Sequence, residues 1–293
     1  MEKRALLLIN RHARRGKQGF AQAIDLLDDL GFELITVPVK SSKSPAEYIH
    51  YYADQIDLVI VGGGDGTLNT VVNSLVEHQL PLGILPLGTA NDLARTLGLP
   101  LAIADACQVI AAGHSKAIDL GKVNGRYFFN VASLGLSVEI TQQLTKGAKQ
   151  RWGVLAYGLT ALRVLSQTRP FHATIRANGE ELTVKTLQVA VGNGLYYGGG
   201  LAISADATID DECLDLYSLN VQHWWQIFHL LLHLPKGHQK FLPWVSTLKA
   251  QSIEVITRKA RDINTDGEIT THTPANFTVV PRILEVFIPQ NLH

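Results

Sequence analysis

Residues 59–69 read Val-Ile-Val-Gly-Gly-Gly-Asp-Gly-Thr-Leu-Asn, an apolar run that passes through four glycines, an aspartate and a threonine into a polar helix start. Glycines 62, 63, 64 and 66 carry no Cβ and permit positive φ, so a phosphate chain can lie against the backbone. Successive amide N–H groups and the start of a helix both attract anions. Asp65 sits inside this run, where a carboxylate can meet a phosphate-bound Mg²⁺ or order the loop, and Thr67 and Asn69 add neutral donors. A tightly packed strand-to-helix turn uses glycines too, but three of them followed by Asp-Gly-Thr favour phosphate binding. The run lacks the Gly-Lys-Ser/Thr ending of a Walker loop and the Gly-x-Gly-x-x-Gly register of a dinucleotide loop. Positive charge must therefore come from elsewhere. The cluster Arg11, Arg14, Arg15 and Lys17 follows the first strand, at the sheet edge where ligands of open α/β sheets bind.

Residues 85–95, Leu-Pro-Leu-Gly-Thr-Ala-Asn-Asp-Leu-Ala-Arg, repeat the pattern of strand, glycine and polar helix start. Thr89 and Asn91 are good helix caps, and Asp92 complements the dipole of a first turn, so each also has a purely structural use. Two such loops at one sheet edge strengthen the case for a nucleotide site. A third cluster is late: Asn264-Thr265-Asp266-Gly267-Glu268. By itself Asp-Gly-Glu is a turn. Phosphoryl transfer to an alcohol, however, needs a carboxylate near the attacking hydroxyl, and this is the best pair of carboxylates in the second half of the chain.

The elements that must position these clusters are legible in outline. Strands over residues 4–10, 32–39, 57–61 and 82–85 alternate with helices over 20–30 and 46–55, from about 67, and from about 91. That alternation predicts a parallel sheet covered on both faces. After Asp119 the pattern changes to strands over 127–132, 173–177, 181–191, 213–219, 252–257 and 275–280, with Asn-Gly turns at 124–125 and 178–179. Helical stretches interrupt at 153–166 and 222–234, and residues 283–289 are a candidate strand returning to the first domain. The expected fold class is α/β: a three-layer αβα Rossmann-like nucleotide domain over 1–119, joined by 283–293, and a β-sandwich over 120–282, with the active site in the cleft between them.

Composition narrows the function. The 293 residues carry 26 Lys+Arg against 26 Asp+Glu, which argues against a nucleic-acid partner held by phosphate contacts. With 46% hydrophobic and 18% charged residues the chain should bury a proper core. Cys107 and Cys213 are far apart among apolar neighbours, which predicts two buried, reduced thiols. The apolar run 5–9 is too short for a signal peptide, and 224–234 contains Gln226, His229 and His233, so no transmembrane segment is expected and a cytoplasmic location follows.

Together the three clusters resemble the diacylglycerol kinase catalytic-domain family, most closely its bacterial lipid kinases. Residues 62–69 match that family's nucleotide loop, residues 88–95 its second motif, and residues 266–268 its late acidic motif, in the family's order and spacing over nearly the whole chain. The Gly-Gly-Asp-Gly-Thr core is shared with NAD kinases and phosphofructokinases; the second motif is not. The resemblance implies an ATP- and Mg²⁺-dependent kinase acting on a lipid hydroxyl. It assigns Glu268 as proton acceptor with Asp266 close by, and places ATP on Gly63, Gly64, Asp65, Gly66, Thr67, Leu68, Asn69 and Thr89, with Asn10, Ser41 and Asn91 nearby. Asp65 and Asp92 would serve Mg²⁺ and the phosphates.

The resemblance also implies a structural metal loop over residues 207–214, with Asp211 ligating through its carboxylate and Thr208 and Cys213 through backbone carbonyls. Here Glu212 stands where the family has glycine, Ala205 where proline is common, and the loop after the first strand lacks the usual Asn-Pro start. Membrane contact would be peripheral, through Trp224, Trp225, Phe228 and Leu231 or through Lys146, Lys149 and Arg151. An NAD kinase and a non-catalytic lipid- or nucleotide-binding protein of the same fold are the alternatives. The identity of the lipid and the oligomeric state stay open.

Overall fold

The computed structural model describes residues 3–10, 16–37, 44–145, 168–197, 201–202, 208–220 and 242–290. Strands β1 (Lys3–Ile9), β2 (Phe32–Thr36), β3 (Leu58–Gly63) and β4 (Leu82–Pro86) alternate with helices α1 (Gly16–Asp29), α2 (Pro45–Tyr52), α3 (Asp65–Asn69), α4 (Val72–His78), α5 (Asp92–Thr96) and α6 (Ile103–Ala112). β1 lies between β2 and β3, and β4 flanks β3, all in parallel. The sequence dictates this arrangement because successive residues of the central strands are apolar on both faces. Leu6, Leu8, Val59 and Val61 pack with Ile49, Val72 and Leu75 of α2 and α4. Ala5, Leu7, Leu58 and Ile60 pack on the other face with Ala23 and Leu27 of α1 and Cys107 and Ile110 of α6. A strand buried on both sides needs helices on both sides, and the result is the expected three-layer half.

The remainder is antiparallel. It comprises β5 (Ser115–Val123), β6 (Arg126–Phe128), β7 (Val131–Gly135), α7 (Leu136–Thr145), β8 (Phe171–Ala177), β9 (Glu180–Thr186), β10 (Gln188–Gly192), β11 (Tyr196–Tyr197) and β12 (Leu201–Ala202). β13 (Leu214–Leu219), β14 (Val245–Ala250), β15 (Ser252–Thr257), β16 (Asp262–Thr265), β17 (Glu268–His272) and β18 (Ala275–Phe287) complete it. One sheet runs β14-β13-β10-β7-β16-β17. It faces β8, β15 and β18 across a core of Leu134, Val189, Val191 and Leu216 on one side and Ile175, Ile253, Val255 and Phe277 on the other. This is sheet-on-sheet packing.

Several expected boundaries shift. Residues 275–280 and 283–289, read as two strands, are one strand, β18, with a register irregularity between Val280 and Leu284. Its far end pairs in parallel with β4 at Val286–Leu82, so the ten-stranded sheet passes without a break from the parallel half into the antiparallel half. The position 119/120, where the pattern changes in sequence, lies inside β5. Strands expected over 127–132 and 181–191 each divide, at Phe129–Asn130 and at Leu187. Helix α6 and strands β5, β14, β16 and β17 were not signalled by periodicity. Cys107 is fully buried, and burial pushes its thiol up to about 11. Cys213, expected to be buried, is only half-buried, because it flanks a polar loop. The helical stretches expected over 153–166 and 222–234 lie outside the described residues, as do Ser41, Arg11, Arg14, Arg15, Lys146, Lys149, Arg151, Trp224, Trp225, Phe228 and Leu231.

Candidate active site

The two glycine loops touch through their backbones. Leu87 and Gly88 donate their N–H groups to Gly63 O at 3.0 and 3.1 Å. A Cβ built on Gly88 would lie 2.4 Å from Gly64 Cα, and one on Gly63 would lie 2.5 Å from Thr67 Cβ. No real side chain fits at either place, so these glycines are required by close approach. Gly64 caps α3 and offers no side-chain acceptor to its first amides, those of Asp65 and Gly66, whereas Thr67 N donates to Gly64 O at 2.9 Å. The loop therefore presents donors and no bulk, which is what a phosphate needs. Asn10 Nδ2 donates to Thr67 Oγ1 at 3.2 Å, so the end of β1 closes over the same loop.

Asp65 and Asn91 lock the second loop onto the first. Asp65 Oδ1 accepts the N–H of Leu93 at 3.0 Å, in the first turn of α5. Asn91 sits in the left-handed region at φ 53°, and its side chain accepts from Gly88 N at 2.9 Å and donates to Gly88 O at 3.2 Å. Asp92 is buried at the first position of α5, whereas Thr89 is exposed at the tip of the loop. Among the described residues the hydrogen bonds to Asp65 both end on Oδ1, the second coming from Asn130 Nδ2 at 3.5 Å.

The late acidic motif closes the site from the antiparallel half. Asp266 and Gly267, at φ 48° and 99°, are the two central residues of the hairpin between β16 and β17. Two positive φ values in a two-residue connection are the signature that an Asp-Gly pair supplies. Gly267 donates its N–H to Asn264 Oδ1 at 2.8 Å, which fixes the turn further.

The two carboxylates of the motif part company. Asp266 is buried and accepts the N–H groups of Phe129, Asn130 and Val131 at 2.7, 2.9 and 3.1 Å, together with Asn69 Nδ2 at 3.1 Å. Burial pushes its carboxyl up to about 6, against the lowering effect of the three backbone donors, and the neighbouring Asp65 charge raises it further. Expected close by Glu268, Asp266 sits in a buried cradle that ties α3 of one half to β7 of the other. Glu268, the first residue of β17, is exposed, and its Oε1 lies 3.5 Å from the position a Cβ on Gly66 would take. The Glu268 carboxylate thus stands directly opposite the uncapped start of α3.

Asp119, Asn130 and Asn193 carry no motif and were missed. Asp119 Oδ2 accepts Glu212 N at 2.7 Å and Oδ1 accepts Arg282 N at 2.8 Å, where β18 changes register. Asn193 Nδ2 donates to both Asp119 O and Phe129 O at 2.9 Å, which carries this bracing to a residue of the Asp266 cradle itself. Only the chemistry of buried Asn and Asp could have signalled them, since such groups must find partners.

The expected metal loop is differently built. Asp211 Oδ1 accepts Cys213 N at 3.1 Å, and Lys249 Nζ approaches Oδ2 at 2.7 Å. Asp210 pairs with Lys116 at 2.8 Å and Glu212 with Arg282 at 3.7 Å. Glu212, standing in place of glycine, adopts φ 58°. Lys249 thus occupies Asp211 Oδ2, so a divalent cation held by Asp211 and the carbonyls of Thr208 and Cys213 would have to displace this ammonium.

Comparison with known proteins agrees with this architecture. The diacylglycerol kinase catalytic domain profile matches residues 4–123, and the YegS C-terminal NAD kinase beta sandwich-like domain profile matches residues 130–288. A diacylglycerol kinase of Staphylococcus carnosus is 30% identical over 299 residues, covering 100% of this chain and 97% of its own. The crystal structure of a diacylglycerol kinase from Bacillus anthracis superposes with a TM-score of 0.78 at 25% identity, over 99% of this chain and 98% of the other. A further solved structure from that bacterium reaches a TM-score of 0.83 at 28% identity over 98% of each chain. The chain belongs to the diacylglycerol kinase catalytic-domain family and is a phosphotransferase with an alcohol acceptor.

Proposed function

We propose that the chain transfers the γ-phosphoryl group of ATP to a hydroxyl of a lipid such as diacylglycerol or phosphatidylglycerol. The observation that carries this reading is the placement of Glu268 Oε1 against Gly66, across from the uncapped amides of α3. The phosphates of ATP lie along Gly63–Asn69, with Asn10 and the tip of the second loop at Thr89 beside them. Asn91 and Asp92 act one step removed, by holding that second loop in shape.

Asp65 lies within the glycine loop, and Oδ2 is the oxygen it has to offer a cation, since its described hydrogen bonds end on Oδ1. A Mg²⁺ held by Asp65 would neutralise charge on the transferred group. Glu268 orients the lipid hydroxyl and accepts its proton as the oxygen attacks the γ-phosphorus and the bond to the ADP oxygen breaks. Asp266 is a positioning residue: its cradle fixes the hairpin that carries Glu268. The lipid enters from the membrane surface by peripheral contact; no helix among the described residues is long and apolar enough to cross a bilayer.

The test is Mg²⁺-dependent ATP consumption against a panel of detergent-dispersed lipids, with NAD included because the NAD kinase sandwich is related. Transfer to one lipid, abolished in Glu268→Gln while nucleotide binding persists, is the expected result. Transfer to NAD alone, or full turnover by Glu268→Gln, overturns the assignment.

A further inference from the structure

A second cluster of ligating side chains lies away from the cleft, where the last turn of α2 meets the last turn of α4. His50 Nδ1 and His78 Nε2 approach to 2.7 Å, with their ring centroids 4.8 Å apart at 75°. Glu77 Oε2 lies 3.9 Å from His50 Nε2, and one ligand atom from each of the three residues falls within 4.8 Å of the others. Two imidazole nitrogens at this distance repel through their lone pairs unless something electron-poor is shared between them. A single proton is one solution. A metal ion is the other, and the third group present, a carboxylate, is what a proton-sharing pair does not require. We propose that His50, His78 and Glu77 bind a transition metal of the zinc class, a site unconnected with the phosphoryl-transfer chemistry.

The donor set selects the metal. Two imidazoles and one carboxylate suit Zn²⁺, whereas Mg²⁺ and Ca²⁺ take oxygen donors. Tetrahedral coordination at about 2.0–2.1 Å sets the two nitrogens about 3.3 Å apart, so they must separate by about 0.6 Å from the 2.7 Å observed. His50 and Glu77 have exposed side chains and His78 is half-buried, so small rotations achieve this without moving a helix. Beneath them the buried Ser74 places its Oγ 3.3 Å from His50 Nε2. That contact fixes the ring and leaves Nδ1 directed at His78, the outer support metal-bound imidazoles characteristically have. The metal would clip α2 to α4. Both cover the same face of β1 and β3, and α4 follows directly on α3, whose start forms the phosphate loop.

The experiment uses the full chain without an affinity tag, stripped with chelator, and titrates ZnCl₂ against calorimetric heat and thermal unfolding, with MgCl₂ as control. One equivalent of Zn²⁺ should bind at micromolar concentration and raise Tm by about 3–5 °C, with Mg²⁺ giving no such shift. His50→Gln and His78→Gln should each weaken binding at least tenfold, and Ser74→Ala should weaken it less. Co²⁺ in place of Zn²⁺ should give the visible absorption of a tetrahedral nitrogen–oxygen site, absent from the His78→Gln variant. Zinc uptake that is unchanged in the His50→Gln/His78→Gln double variant would place the ion elsewhere among the 11 histidines and overturn the proposal. So would the absence of uptake at about a hundred times the expected Kd, which leaves a proton-shared histidine pair.

Discussion

Two acidic triplets of almost the same composition meet opposite fates in this molecule. In Asp210-Asp211-Glu212 every carboxylate faces a cation from a different strand: Lys116 of β5, Lys249 of β14 and Arg282 of β18. In Asp266-Gly267-Glu268 no carboxylate has a cationic partner among the described residues. Asp266 is held by amide donors, and Glu268 stands in the cleft beside Gly66. Both triplets use positive φ, at Glu212 in the first and at Asp266 and Gly267 in the second. The difference lies in what satisfies the charge. Carboxylates neutralised by neighbouring side chains brace a loop. A carboxylate held apart from cations, beside glycine backbone at a helix start, is the kind the proposed proton transfer requires.

The comparison breaks most directly at Glu268. Glu268→Gln should cut phosphoryl transfer by about 10²- to 10⁴-fold, the usual worth of a positioned general base, with cooperative unfolding unchanged. Steady-state turnover and circular dichroism on the same preparation check it, and parity with the parent would make this triplet as structural as the other. Asp266→Asn should instead lose stability. It turns an acceptor into a group with two donors facing buried N–H groups, at a cost of about 2–4 kcal/mol in urea unfolding.

Gly88→Ala tests whether the anion cradle opposite Glu268 depends on backbone contact. Its methyl would arrive 2.4 Å from Gly64 Cα, and the forced shift should cost about 1–3 kcal/mol and weaken nucleotide binding measured by titration. The smallest effect belongs to the braced triplet. Lys249→Met removes a partly exposed pair and should change stability by no more than about 1 kcal/mol.

Acid titration sharpens the same contrast. Burial raises the Asp266 carboxyl from 3.8 to about 6. Because the folded value lies above the unfolded one, the folded state holds the proton more tightly. The contribution of this group to stability is full below about pH 4 and is lost as pH rises through about 6. Acidifying from pH 7 to pH 5 therefore does not unfold the protein through Asp266. It does protonate the cradle that aims Glu268, so turnover should fall below about pH 6 while Tm does not fall in step. A turnover profile flat across pH 5–7 would detach Asp266 from the catalytic geometry.

What sequence could reveal follows from how local each feature is. The residues of the phosphate loop are contiguous, so their glycines, Asp65 and Thr67 could be read together, as could the apolar runs that become β1 and β3. The burial of Asp266 could not be read, because its donors Phe129, Asn130 and Val131 lie 135 to 137 positions upstream. Asp119 and Asn193 were invisible for the same reason: each serves backbone atoms from distant strands. β5 and β17 went unsignalled because neither alternates: β5 buries Ile118, Asp119, Leu120 and Gly121 in succession, the charged Asp119 among them, and no residue of β17 is fully buried. The Asp211 pair was hidden by distance as well, since Lys249 arrives from 38 residues away.

The long strand β18 has a consequence for how the chain is made. It pairs with β4 through Val286 and Leu82 and with β5 over most of its length, so the parallel sheet of the first half gains that neighbour only from residues about two hundred positions downstream. During synthesis, at about 5–20 residues per second, β4 must wait tens of seconds with an open edge before its partner is translated. Unpaired strand edges recruit other strands. The nascent parallel half is therefore the stage at which this protein is most exposed to misassembly, and the arrival of β18 is the event that closes it.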